Sequence, residues 1–92
     1  MEVSRAMGNM KDVRQLVRSS GSVAANWIEA GKALSKKDRL YRMKLCRKEA
    51  RESRFWLGLV QTNEFSTPKR RRLQSESEEL VLIFAILVRR LE

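Results

Sequence analysis

With 92 residues, the chain is long enough for one domain with a modest core, which oligomerisation would help to stabilise. It carries 20 Lys and Arg against 11 Asp and Glu, a formal net charge of +9 that favours polyanionic partners, nucleic acid or an anionic membrane surface. The absence of His removes the usual general base and the commonest metal ligand, and a single Cys excludes an intramolecular disulfide or a multi-cysteine zinc site.

No metal and no cofactor is therefore expected. Residues Met1 to Met10 lack the apolar core of a signal peptide, and the composition fits a reducing, cytoplasmic setting. The longest apolar run, Leu80 to Val88, is nine residues, well short of the roughly 20 that a membrane span needs. Strand signals are weak and nothing repeats. The chain reads as all-α, a single helical bundle over residues 10–92 behind residues 1–9, a flexible lead or a frayed helical turn.

The first helix is expected from about Met10 to Ala30. Met10, Val13, Val17, Ser20, Ala24 and Trp27 mark one face at helical spacing, with Leu16, Val23 and Ile28 beside them. Its middle, Ser19-Ser20-Gly21-Ser22, has poor helix propensity. Small residues on a packing helix let a neighbour come close, which favours one continuous helix; the rival is a break at Gly21. Gly31 is a plausible C-cap. Lys32 to Leu34 form a link so short that the first two helices should be antiparallel neighbours.

The second helix is expected from Lys36 to Asn63. Ser35 and Asp38 have the spacing of a capping box. Ten of the twenty Lys and Arg residues fall between Lys32 and Arg54. On a helical wheel Lys36, Lys37, Lys44, Arg47, Lys48, Arg51 and Arg54 share an arc of roughly a third of the circle. Met43, Leu45, Cys46, Ala50, Trp56, Leu57, Leu59 and Val60 occupy much of the rest, with Cys46 read as a small packing residue rather than a reactive thiol.

The acids Asp38, Glu49 and Glu52 project from the packing side together with Arg42. A lone buried charge is very costly, so these groups should be paired. With Asn26 and Glu29 near the end of the first helix, they are expected to form a polar network inside the bundle or at a subunit interface. The alternative is a solvated edge.

The third helix is expected from Pro68 to Leu91, with Thr67 as N-cap and Pro68 at the first helical position. Leu73, Ser77, Leu80, Phe84, Leu87 and Leu91 keep one register. A rival start at Ser75, boxed by Glu78, would leave Lys69, Arg70, Arg71 and Arg72 in a loop.

Residues Ser22 to Gln61 resemble a bacterial four-helix bundle protein family whose first recognised members are encoded in intervening sequences of large-subunit ribosomal RNA genes. The resemblance rests on Asn26-Trp27-Ile28-Glu29-Ala30, on Ser35-Lys36-Lys37-Asp38, and on the run from Cys46 to Leu57 with its Lys-Glu-Ala and Phe-Trp-Leu pieces. Glu78 to Leu91 fits the last helix more loosely. The resemblance implies an up-down bundle that assembles into a homopentamer, and kinship with the basic accessory protein of diversity-generating retroelements. Two departures stand out. Members of the family have a whole helix ahead of the segment that starts here near Met10, so about three helices and an exposed apolar surface are expected. Arg39 and Gly58 also stand where the family usually has an apolar residue and often has Arg.

A non-enzymatic, oligomeric protein would bind RNA or DNA through the basic arc and Lys69 to Arg72, neutralising phosphates with little sequence specificity. Tyr41, Phe55 and Trp56 read as packing residues rather than base-stacking platforms. The alternative is a structural or protein-interaction module whose charge serves solubility. An enzymatic reading would have only Glu49 and Glu52 as carboxylate catalysts, and pairing with Arg suits both better.

Overall fold

The computed structural model describes residues 2–62 and 66–92, and every regular element among them is a helix: α1 Glu2–Lys32, α2 Lys36–Leu59 and α3 Thr67–Leu91. The all-α reading holds among the described residues, and none of these helices is long and apolar enough to cross a membrane.

The first helix begins at Glu2, so residues 2–9 are its first turns rather than a lead ahead of it; Met1 lies outside the described residues. A side-chain clamp ties this end down. Asn9 Nδ2 donates to the Gln61 carbonyl at 3.2 Å, and Asn9 Oδ1 accepts from the Gln61 N–H at 2.7 Å. Gly21 does not break α1, and Gly31 does not cap it. The helix runs on to Lys32, and no described glycine takes a positive φ. Arg39 ends it instead, donating from Nε to the Ala30 carbonyl at 3.4 Å and from Nη2 to the Ala33 carbonyl at 3.2 Å. A guanidinium there satisfies terminal carbonyls and suits the negative end of the helix dipole.

Ser35 caps α2 as its spacing with Asp38 predicts: the backbone is extended, and Ser35 Oγ accepts from the Asp38 N–H at 3.1 Å. The helix ends at Leu59, four residues short of the expected Asn63, because Val60 turns to extended backbone; Asn63 itself lies outside the described residues. In α3 the long helix prevails over the start at Ser75. Ser66 takes the cap position, one residue ahead of the Thr67 expected there, and Pro68 sits in the first turn, where its missing N–H costs nothing.

α2 is the centre of the fold. Pairs such as Ser19–Ser53 and Asn9–Gln61 set α1 antiparallel to it, and pairs such as Arg70–Leu57 and Lys44–Glu92 do the same for α3. The outer helices both pack on α2 but not backbone to backbone on each other. Trp27 of α1 and Phe84 of α3 bridge them, with ring centroids 6.1 Å apart. The body is a rod of 51 × 21 × 16 Å.

The core is small: Ala30, Met43, Cys46, Ala50, Val81, Phe84 and Val88, with Val23, Leu40, Leu87 and Leu91 packed against it. Burial pushes the Cys46 thiol above its ordinary pKa, against a smaller opposing effect of a backbone hydrogen bond. Two expected faces are corrected. On α1 the side turned to α2 is Ser19, Asn26 and Ala30, while Met10, Val13, Val17, Ser20, Ala24, Trp27 and Ile28 stay exposed. On α3, Ser77, Val81, Phe84 and Val88 are buried, while Leu73 and Leu80 remain exposed. A single helix can offer one stripe to only one neighbour, and here each outer helix turns part of its apolar stripe away from α2.

Candidate nucleic-acid interface

The basic arc of α2 divides when the helices pack. Lys37, Lys44, Lys48 and Arg51 stand on the outward side and are exposed. Arg47 and Arg54 are half-buried on the edge beside α3, and Lys36 is exposed in the first turn. Lys44 Nζ lies 3.9 Å from Glu92 Oε1, a loose pair between two exposed side chains that binds weakly.

The run Lys69 to Arg72 falls inside α3, so its four side chains leave the helix on successive sides and do not form one patch. Lys69, Arg71 and Arg72 are exposed. Arg70 turns inward. Its Nη1 donates to the Leu57 carbonyl at 3.2 Å and to Gln74 Oε1 at 3.4 Å, which closes the end of α2. Antiparallel packing nevertheless brings the start of α3 beside the last turns of α2, the end that carries Arg51 and Arg54.

The expected polar network forms only in part, and with a member the sequence reading missed. Arg42 Nη1 donates to Asn26 Oδ1 at 3.2 Å, and Asn26 Nδ2 donates to the Ser22 carbonyl at 2.9 Å. Glu29 and Asp38 are exposed and stand apart from that pair. Glu49 and Glu52 are held by Arg18 of α1, not by Arg42. Arg18 Nη1 meets Glu49 Oε2 at 3.3 Å, Nη2 bonds Glu52 Oε2, and Nε donates to Gln15 Oε1 at 3.0 Å. The hydrogen bond that Arg18 donates to Glu52 is the largest influence holding the Arg18 pKa above its ordinary value; attraction from both carboxylates adds to it, and desolvation opposes it. A signal for this was available. With a link as short as Lys32–Leu34, an antiparallel partner puts Arg18 opposite Glu49.

The consequence is electrostatic. Arg18 bonds Glu49 and Glu52 from the α1 side, and Lys37, Lys44, Lys48 and Arg51 are exposed together on the outward side of α2. The acids nearest them are Glu52 at the α1 edge, Glu92 beside Lys44, and Glu78 of α3, which lines a cleft with Arg51. Two aromatic residues share this face. Tyr41 is 57% exposed and Phe55 59% exposed, which corrects their reading as packing residues; only Trp56 is half-buried.

No family model, curated protein or solved structure matches this chain.

The opposite side of the bundle is apolar. Between α1 and α3 two adjoining clefts of about 330 Å³ each open above α2, sharing Ser20, Val23 and Leu80. Trp27, Ile83 and Leu80 stand half out of this groove. The molecule thus has a cationic ridge on one side and an apolar groove on the other.

Proposed function

We propose that this chain is a non-enzymatic, self-associating helical-bundle protein of the cytoplasm that binds nucleic acid, RNA foremost, through the outward face of α2. The observation that carries the reading is that Lys37, Lys44, Lys48 and Arg51 are exposed together while Arg18 neutralises Glu49 and Glu52 beside them. Such a face neutralises phosphates and releases counterions; it reads backbone rather than base edges, so sequence specificity is low.

Self-association is supported by the groove between α1 and α3, where half-exposed Trp27, Leu80 and Ile83 make an apolar surface that another copy would cover. Copies joined this way would present several ridges at once and raise avidity. The resemblance of residues 22–61 to the bacterial four-helix bundle family agrees with this reading, and its pentamer is the assembly to test first.

The test is fluorescence anisotropy with labelled RNA and DNA across a salt series. Affinity should fall steeply with salt. The combined variant Lys44→Glu, Lys48→Glu, Arg51→Glu should lower the log–log salt slope by about 2–3 on a duplex. No binding at low salt would sink the reading. It would leave the second one, a protein-interaction module that works through the apolar groove.

A further inference from the structure

Tyr41 and Phe55 lie fourteen positions apart on α2, close to four turns and about 21 Å along the axis. At that spacing they share the outward face, with Lys44, Lys48 and Arg51 between them and Lys37 one turn before Tyr41. Both rings are more than half exposed, so most of their apolar surface is left unused by the packing of the three helices. Neither ring is loose. Arg42 Cζ sits 5.5 Å from the Tyr41 ring centroid, and Phe55 packs edge-on with Trp56 at 5.0 Å with an interplanar angle of 76°. Both are steadied by a neighbour and still open to solvent.

Beside Phe55 the surface is hollow. Arg51, Arg54, Gly58, Gln74 and Glu78 line a cleft of about 400 Å³ with it. A Cβ at Gly58 would stand 3.1 Å from Gln74 Nε2, at the end of a flexible side chain. The cleft therefore offers an aromatic wall, two guanidinium groups, an amide and a carboxylate in one place.

We infer that the ridge is built for single strands, with Tyr41 and Phe55 as base-stacking platforms at its two ends and Lys44, Lys48 and Arg51 holding the phosphates between them. The inference rests on the nucleic-acid reading above and names its substrate class. In a duplex the base faces are already stacked on one another and closed to a side chain. In a single strand they are open, and each stacked base adds a sequence-tolerant contribution that charge alone cannot give. A purely electrostatic ridge would instead favour the duplex for its higher charge density.

The experiment compares oligouridylate of about a dozen nucleotides with a duplex RNA of the same length, by anisotropy over a salt series. The full chain is used as wild type, as Tyr41→Leu with Phe55→Leu, and as Phe55→Trp. Leu keeps helix propensity and bulk, and the exposed positions should leave the circular dichroism and melting curve unchanged. The double variant should lose about tenfold or more on the single strand and less than about twofold on the duplex, with its salt slope intact. Phe55→Trp should retain binding. Equal losses on both probes, no loss on either, or a change in assembly mass in place of a change in binding would overturn the inference while leaving charge-dependent binding standing. A wild-type protein that binds neither probe would overturn both readings together.

Discussion

Ser19 of α1 and Ser53 of α2 meet across the helix seam with their hydroxyl oxygens 2.9 Å apart. Both are buried. The Leu16 carbonyl lies 3.2 Å from Ser19 Oγ and the Glu49 carbonyl 2.9 Å from Ser53 Oγ, so each hydroxyl is satisfied without water. Side chains this small let two helices approach closely, which is how the propensity-poor stretch around Ser19 serves the fold. Ser19→Leu would force the seam apart and should cost about 1–3 kcal/mol, whereas Ser19→Ala keeps the space and should cost about 1 kcal/mol. Urea midpoints at constant m value would read both. Equal stability of Ser19→Leu and wild type would refute a tight seam.

Gly21 makes the opposite case. It lies in the middle of α1, and a Cβ added there meets nothing within 4 Å. Gly21→Ala should therefore gain helix propensity without a steric cost, stabilising the chain by about 0.5–1 kcal/mol. A melting temperature below wild type would mean that the open surface at Gly21 is covered by something in solution.

Arg18 is the hinge of the electrostatics. The Glu49 side chain is only 10% exposed, so Arg18→Met would strand a carboxylate in a poorly hydrated place and lower stability. Combining it with Glu49→Gln should recover part of that loss, which a double-mutant cycle from denaturation curves measures. Arg18→Met should also weaken RNA binding by unmasking two negative charges next to the ridge. Additive single effects would show that the pair is not coupled.

The apolar groove predicts assembly. Wild type should scatter light as a multiple of the 10.8 kDa chain, and Leu80→Lys with Ile83→Lys should bring it towards a single chain. Binding to long RNA should weaken in step as avidity is lost. A wild type that stays monomeric at high concentration and high salt would remove self-association.

Much of the helical framework was legible because its signals are local. Ser35 with Asp38 starts α2, and Thr67-Pro68 marks the start of α3 within a residue, since caps and proline act on their own turn. The ends of α1 were not legible in the same way. Its first turns depend on the Asn9–Gln61 clamp and its last on Arg39, partners that are distant in sequence or on the next helix. Nor was the buried side of α1, because periodicity marks an apolar stripe without saying which neighbour it meets.

The sequence by itself determined three helical segments, a charge of +9 and a basic arc on the second helix. These follow from backbone propensity, capping and composition, none of which needs a neighbour. The tertiary structure alone decided which of those charges face outward, that Arg18 rather than Arg42 takes Glu49 and Glu52, and that Arg70 turns inward. Each of these depends on the register and facing of one helix against another. A periodic pattern read along a single helix does not carry that information.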